Sequence, residues 1–340
     1  MGLLSWWSLR RRALATDDLQ QEKEIVERIV RLGPQLRLAR DYEARLAPAV
    51  HQATGYLRRL VAQVPAAREA SVAAWATDPY IHAFFATPDD VAPVFSHSEA
   101  LRNCLRDHPA VDEVFAVLGM AVDERRTLGV AQDGAITRTD VAQTTVNFSD
   151  HQVRVCAVSE VALREEIVLR VLDQLTLQGL GEIEADTLRR DSLEQERALL
   201  RTRLKILERQ GIGVRSLLGS EASCSFAEVA RLQAQLDEND RALANLGLKT
   251  EALERELQMV CKVLALPDAH VYVQKKKFLL DRLNVVVEDG DTRPAQEMEL
   301  QIARMPASPN AIRVFSMVRF KRQDLLPERD ILAEARRLLI

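Results

Sequence analysis

The chain has 340 residues, of which 47% are hydrophobic and 28% charged, and its formal net charge at pH 7 is -4. This length leaves room for two or three domains, and the composition is that of a folded chain in which the outer faces of long helices account for many of the charges. The slight acidic excess argues against a protein whose main task is to grip phosphate backbones, because such proteins usually carry a strongly basic domain.

The cysteines are widely spaced and form no CxxC pair; they are Cys104, Cys156, Cys224 and Cys261. The sequence therefore predicts neither a zinc knuckle nor a small disulfide framework, and no metal or cofactor is expected. This cysteine usage favours a reducing compartment.

Residues 1–15 form an amphipathic segment in which Trp6 and Trp7 precede Arg10, Arg11 and Arg12. Two interpretations stay open: an interfacial helix end with its guanidinium groups on anionic lipid, or a terminus whose tryptophans dock on the rest of the protein. No apolar run reaches the length of a membrane span, and the arginines follow the apolar patch, which is the reverse of a signal peptide. The expected location is the cytoplasm, with attachment to the inner face of the membrane as an alternative.

Residues 16–124 are predicted to form a helical bundle. The first helix runs from Thr16 to about residue 32 and stops at Gly33, and the second, residues 35–64, is kinked at Pro48. Shorter helices follow between residues 66 and 107, with Thr87 as a cap, and a last one spans Val111 to Val122. The expected core aromatics are Trp75, Phe84, Phe85, Phe95 and Phe115.

Residues 125–158 change to a period of two, which predicts a small β meander. Asp133 and Gly134 suit a tight hairpin turn, and a second turn is expected at Ser149–His151. Three antiparallel strands are therefore predicted.

Residues 159–264 are predicted to form a long antiparallel coiled-coil hairpin. Ser159 caps a helix that continues, with a bend at Gly179 and Gly181, to about residue 210. Residues 226–264 then carry aliphatic side chains in steps of three and four, the 3.5-residue period of a coiled-coil seam, over about 58 Å.

One register aligns the two arms of this hairpin. If Leu207 faces Val229, the aliphatic seam positions of the arms meet layer by layer. Arg197 then lies opposite Asn239, and Asp186 lies opposite Thr250, so that polar residues share layers. Arg190 falls opposite Leu246, and its stem is long enough to reach out of the seam.

Residues 265–340 return to a period of two and predict an antiparallel sheet followed by a helix from Pro327. The expected strands are Val271 to Gln274, Leu279 to Glu288, Gln296 to Arg304 and Ala311 to Arg322. The fold class is thus mainly α: a helical bundle plus a long antiparallel coiled-coil hairpin, with small antiparallel β-sheet elements that make it α+β. At the base of the hairpin the two small sheets could join into one platform.

Three patterns hint at catalysis or ligand binding and are better explained by structure. Adjacent Ser149, Asp150 and His151 cannot converge as a hydrolase triad, so turn chemistry is favoured. His97, Glu99 and His108 lack metal-ligand spacing. The glycines of residues 211–219 lack the spacing of a phosphate-binding loop. No catalytic residue is therefore predicted, and the chain is expected not to be an enzyme.

The tip of the hairpin, residues 211–225, is unusually apolar. Its apolar side chains are Ile212, Val214, Leu217 and Leu218. Exposed apolar groups at the end of a rod often mark a docking point for a protein partner. Dimerisation or packing within the tip explains them equally well.

The C-terminal strands carry basic residues beside Phe278, Phe315 and Phe320, a combination that could clamp single-stranded nucleic acid. Nearby glutamates and aspartates offset this charge, so a solvated face is favoured. The basic residues are Lys275, Lys276, Lys277, Arg313, Arg319, Lys321 and Arg322.

The favoured function is a non-enzymatic interaction or scaffold protein that projects a coiled-coil hairpin to engage a protein partner. The alternative is a nucleic-acid-associated factor that uses the basic C-terminal sheet. The sequence leaves self-association open.

Overall fold

The computed structural model describes residues 20–133, 136–215, 223–246, 252–287, 293–304 and 313–327. The chain divides into two compact units. The first takes residues up to Gln52 together with Asp173–Ala265, and the second takes Ala53–Leu172 and residues from Leu266 onwards.

Helices and strands alternate in blocks along the chain. The helices are α1 (20–32), α2 (Tyr42–Ala62), α3 (Val72–Thr77), α4 (Pro79–Phe84), α5 (Val91–Ser96), α6 (Glu99–Asp107), α7 (Glu160–Arg215), α8 (Ser223–Asn245), α9 (Ala252–Ala265) and α10 (Pro267–His270). The strands are β1 (Arg68–Glu69), β2 (Glu113–Asp133), β3 (Ile136–Ala157), β4 (Tyr272–Leu280), β5 (Gln296–Arg304) and β6 (Arg313–Lys321).

The first unit is helical. Buried side chains of this unit lie on α1, the start of α2, α7, α8 and α9, and include Ile29, Leu46, Leu175 and Leu257. Arg28 of α1 donates two hydrogen bonds of 2.7 Å to the Asp173 carboxylate, a bidentate pair that fixes α1 against α7.

Gly179 and Gly181 do not interrupt α7, which is one helix from Glu160 to Arg215. A Cβ at Gly179 would lie 3.0 Å from Val260 Cα. Gly179 therefore allows the close approach of α9 to α7.

The second unit is built on one sheet. Its strand order is β3-β2-β6-β5-β4, these neighbours pair antiparallel, and β1 adds to β6 in parallel. Val285 and Val286 form bridges to Thr145 of β3 and Leu280 of β4, so the sheet curls round on itself. The two sheets expected from sequence are thus one.

Part of this sheet is covered on both faces. Helices α3 to α6 contribute Phe84, Phe85 and Phe95 to a core shared with the strands. On the opposite face, Leu163 of α7 packs with Val64 and Met317. Where both faces are covered, as from Val114 to Leu118 of β2, the strand is apolar on both sides.

The predicted helix from Val111 to Val122 is wrong, because these residues enter β2. Val114, Ala116, Leu118 and Met120 point into the main core, and Phe115 and Val117 pack on the opposite face. When both faces of a strand are buried, the apolar run has no visible period of two and resembles a buried helix.

The predicted turn at Ser149–His151 is also wrong, since these residues continue β3. Gly119 pairs with Gln152 and Ala121 with Ser149, which leaves two residues of β3 opposite Met120 alone. Asp150 has a φ of 49°, so the turn-like residues form a β-bulge inside a long strand.

The described residues 271–287 do not form the two strands predicted there. A single strand, β4, spans Tyr272–Leu280, and the chain turns after Asp281, whose carboxylate accepts hydrogen bonds from the amides of Leu283 and Val285. Asx turns of this kind end strands.

Several local predictions are confirmed. The first helix ends before Gly33, Thr87 forms a capping box with Asp90, and the Ser159 hydroxyl accepts from the Ala162 amide at the start of α7. The α+β class is confirmed as well. The turn at Gly134 and the helix after Pro327 lie outside the described residues.

None of the described helices has both the length and the apolar composition that a bilayer span requires.

Candidate interaction surface on helices α7 and α8

Side chains of α7 and α8 contact each other in antiparallel order. Arg190 Nη2 donates to the Leu246 carbonyl at 2.6 Å, and Arg197 Nη1 lies 3.3 Å from Asp240 Oδ1. Further along α7, Arg203 Nη2 lies 3.2 Å from Glu228 Oε1. Rising residue numbers on α7 thus meet falling numbers on α8.

These contacts lie close to the register expected from sequence. That register places Arg190 opposite Leu246 and Arg197 opposite Asn239. In the structure Arg197 pairs with Asp240, the neighbour of Asn239, and the Asn239 amide nitrogen donates to Glu196 at 3.2 Å. Two adjacent polar residues of each helix therefore meet at the same level.

Asn239 is a buried polar residue among apolar neighbours, with only 5% of its surface exposed. Leu232 and Leu243 of α8 are buried on either side of it. No group of the described residues donates a hydrogen bond to its Oδ1. A buried asparagine of this kind destabilises a helical pair and at the same time selects one register.

Some of the predicted site residues lie outside the described residues, and others lie on α7. Trp6, Trp7 and the three arginines of the N-terminal segment lie outside the described residues, as do Leu217, Leu218 and Thr250. Ile212 and Val214 lie in the last turns of α7, and Asp186 lies on α7 with an exposed side chain. The apolar tip stays a prediction.

The lysines of the predicted basic surface are paired with carboxylates. Lys275 Nζ lies 2.8 Å from Glu299 and Lys277 Nζ lies 2.6 Å from Glu297, while Lys276 pairs with Glu124. The hydrogen bond from Lys275 lowers the pKa of Glu299, as expected of a carboxylate held in its charged form.

The arginines and the fourth lysine of that surface are paired in the same way. Arg313 pairs with Asp150, whereas Arg319 and Lys321 share Glu69 at 3.0 and 2.8 Å. Arg322 donates to the carbonyls of Leu105, His108 and Val111. Most of the basic groups that suggested nucleic-acid binding are therefore paired or hydrogen-bonded within the fold.

His151 has a structural role. Its Nε2 lies 2.7 Å from the Phe84 carbonyl, and its ring stacks on Phe85 with 4.8 Å between centroids. Burial lowers the pKa of His151, and the neutral ring donates this hydrogen bond. Asp150 meanwhile pairs with Arg313, so the triplet Ser149–His151 forms no catalytic array.

Metal-ligating and nucleophilic side chains do not assemble a site in the described residues. No group of three His, Cys, Asp or Glu there could hold a metal ion. Cys104, Cys156 and Cys261 are free thiols, and burial raises the pKa of Cys156 to about 12. A thiol held protonated in this way is a poor nucleophile.

An apolar line on the outer face of α7 is missing from the predicted site. Leu177, Leu188, Leu199 and Ile206 are large hydrophobic residues that are 44%, 65%, 71% and 50% exposed. Leu199 is two residues from Arg197 and therefore faces away from α8. Steps of eleven and seven residues could have revealed this line, but the stronger heptads of the α8-facing seam dominate the sequence pattern.

Comparisons with known protein families, curated proteins and solved structures find no match to this chain.

Proposed function

We propose that this chain is a non-enzymatic interaction protein in which α7 and α8 form an antiparallel coiled-coil hairpin that engages a protein partner. The observation that carries this proposal is the single antiparallel order of the contacts made by Arg190, Arg197 and Arg203 with α8. Polar pairs at the edge of a helical seam fix its register and the choice of partner helix.

The exposure of the helical pair supports an interaction role. One face of α7 is occupied by α8, yet the opposite face still presents large apolar side chains to solvent. Large exposed apolar side chains aligned on one helix face are compatible with a surface that binds another protein. Among the side chains considered above for chemistry, His151 is bonded to the Phe84 carbonyl, Asp150 is paired with Arg313, and burial raises the pKa of Cys156, which favours structural roles for these three.

Cysteine crosslinking tests the hairpin. In a chain whose four native cysteines are replaced by serine, Leu200→Cys and Leu236→Cys are expected to form a disulfide within one chain. Leu199→Cys with Leu236→Cys is the matched control, because Leu199 lies on the outer face and is not expected to crosslink. Crosslinks that form between chains and not within them would exclude the hairpin.

Partner capture tests the interaction. A partner recovered from the native host with the full chain is purified and titrated against the wild type and against Leu217→Asp at the predicted tip. The substitution is expected to weaken binding by about tenfold or more while far-UV circular dichroism stays unchanged. Equal affinity of both chains would exclude the tip as the binding point.

The nucleic-acid alternative lacks a supporting observation of the same kind. Its lysines and most of its arginines are held by Glu69, Glu124, Asp150, Glu297 and Glu299. Phosphate contacts would have to displace these pairs.

A further inference from the structure

Two cysteines of the second unit lie on elements that pack against each other. Cys104 belongs to α6 and Cys156 belongs to β3, and α6 packs on β3. Both side chains are partly buried, and both contact the core that α3 to α6 share with the strands. The two thiols therefore border the same core.

A β-bulge places Cys156 on the side of the sheet that α6 covers. The pairing of β3 with β2 shifts between Val153 and Cys156, which leaves an extra residue in β3. Positions three apart in a regular strand face opposite sides of the sheet. Because of the extra residue, Val153 and Cys156 both contact the core under α6, whereas Val155 packs on the opposite face. Cys156 thus lies on the α6 side.

The start of α6 sets the level of Cys104 along β3. The Ser98 hydroxyl, just before the helix, donates to the Val153 carbonyl at 3.1 Å. Cys104 follows six residues later, about 9 Å along a helix, and Cys156 follows three residues later, about 10 Å along a strand. The two cysteines lie at the same level if helix and strand run in the same direction.

The far end of α6 shows that they do. Arg322 donates to the Leu105 carbonyl at that end, and its amide donates to the Asp112 carbonyl just before β2. The start of β2 pairs with the end of β3, where Phe115 lies opposite Ala157. Helix α6 therefore runs along β3 in the direction of rising residue numbers.

Electrostatics agree with this placement. Burial, and then the negative charge of a Cys104 thiolate, raise the pKa of Cys156 to about 12. A charge has this effect on a second group only when the two groups are close.

From this arrangement we infer that Cys104 and Cys156 form a reversible disulfide that ties α6 to β3 when the chain meets a small disulfide oxidant, such as oxidised glutathione. In the reducing compartment that the cysteine usage favours, both residues stay thiols. Disulfides in such compartments are typically transient and respond to redox conditions.

The reaction is two steps of thiol–disulfide exchange. The thiolate of one cysteine attacks the small disulfide, so that a mixed disulfide forms and one small thiolate leaves. The second cysteine thiolate then attacks the cysteine sulfur of the mixed disulfide and releases the other small thiolate. The two released thiolates take up the two protons that the cysteines lose. High thiol pKa values make these steps slow and unsuited to catalysis, but a disulfide needs only a transient thiolate.

This inference goes beyond the proposed function, because it concerns the second unit and a covalent modification. The contacts of Arg190, Arg197 and Arg203 with α8 play no part in it. The two claims can therefore fail separately.

Mass spectrometry tests the bond in the full chain with Cys224→Ser and Cys261→Ser, which keeps only the proposed pair. After equilibration with oxidised glutathione, we expect the loss of two hydrogen atoms and a peptide pair joined through Cys104 and Cys156. Excess reduced glutathione should reverse both changes. Glutathione attached to the cysteines without an internal bond would overturn the proposal. So would free thiols in a folded chain under conditions that oxidise the same chain in urea.

A cysteine on another face of α6 is the matched control. Arg106 is exposed and lies two residues after Cys104, about 200° round the helix. In the same background, Arg106→Cys with Cys104→Ser is expected to form no internal disulfide. Equal yields from the two chains would contradict the specific placement of Cys104 beside Cys156.

Hydrogen–deuterium exchange measures whether the bond holds α6 on the sheet. In the oxidised chain the amides of α6 should exchange more slowly than in the reduced chain, by about tenfold or more, because the helix can no longer open away from β3. Cys156→Ser should show the same rates in both buffers. Equal rates for the oxidised and reduced chains would contradict a role of the disulfide in tying α6 to β3.

Discussion

Arg164 is the residue that joins the start of α7 to the end of α2. Its Nη1 donates to the Val61 carbonyl at 2.6 Å, its Nη2 donates to the Val64 carbonyl at 3.0 Å, and it pairs with Glu160. Arg164 thus gives additional hydrogen bonds to carbonyls at and just after the end of α2.

Replacing this arginine is expected to destabilise the protein. Arg164→Ala leaves carbonyls of Val61 and Val64 without this donor, and the free energy of unfolding should fall by about 2 to 3 kcal/mol. Arg170→Ala is the matched control, since Arg170 makes a single exposed pair with Glu166 and should contribute about 0.5 kcal/mol or less. Urea unfolding measures both, and equal losses would contradict the role of Arg164.

His151 should make stability depend on pH. Its folded pKa lies below the ordinary 6.5 because burial disfavours the imidazolium. Above pH 6.5 both folded and unfolded chains hold it neutral; as pH falls towards the folded pKa, the unfolded chain takes up the proton first and stability is lost. His151→Gln should lack this loss, so unfolding free energies of the two chains should converge or cross between pH 7.5 and pH 5. Curves that stay parallel would contradict it.

At the scale of elements, two glycines of α7, Gly179 and Gly181, have opposite roles. Gly179→Ala places a Cβ 3.0 Å from Val260 Cα, so α9 must shift and the unfolding free energy should fall by about 1 to 3 kcal/mol. A Cβ at Gly181 would have no neighbouring atom within 4 Å, so Gly181→Ala should raise the unfolding free energy by about 0.5 to 1 kcal/mol. Thermal or urea unfolding at one protein concentration compares the pair. Equal effects would show that helix propensity, and not packing, governs both sites.

Elements were predictable from sequence where their signals are local. Helix α6 has the predicted limits, Glu99 to Asp107, and β5 spans the predicted Gln296 to Arg304. The error at residues 111–122 has a non-local cause, because Phe115 and Val117 are covered by residues distant in sequence. A strand sequence shows a period of two when only one face of the strand is buried. A strand that is buried on both faces shows no such period.

The candidate site was predictable only in part for the same reason. Polar residues at matched levels of α7 and α8 interrupt the apolar heptads in the sequence. The contacts of Arg190 and Arg197 lie at these interruptions. The pairing of Lys276 with Glu124 depends on strands far apart in the chain. No local pattern reveals which carboxylate will neutralise which lysine.

At the scale of the whole molecule, one sheet unites segments that sequence analysis assigns to separate domains. Glu113 of β2 pairs with Lys321 of β6 across most of the chain length. Strand pairing of this kind depends on tertiary contacts between complementary edges, and neither edge carries a local signal for the other.

The balance of charge over this sheet leads to the last prediction. Lys275, Lys276 and Lys277 are held by Glu299, Glu124 and Glu297, and the net charge is -4. The wild-type chain should therefore elute from heparin or single-stranded DNA columns at low salt. Replacing those three glutamates by glutamine releases the lysines and raises the net charge by three units, so the variant should elute at higher salt.

Charge reversal at the lysines is the control for that measurement. Replacing Lys275, Lys276 and Lys277 by glutamate should leave the early elution of the wild type unchanged, because their charge is already offset within the fold. Strong retention of the wild type that this replacement abolishes would contradict the prediction. Lysines that are free to bind phosphate would favour a nucleic acid over a protein as the partner.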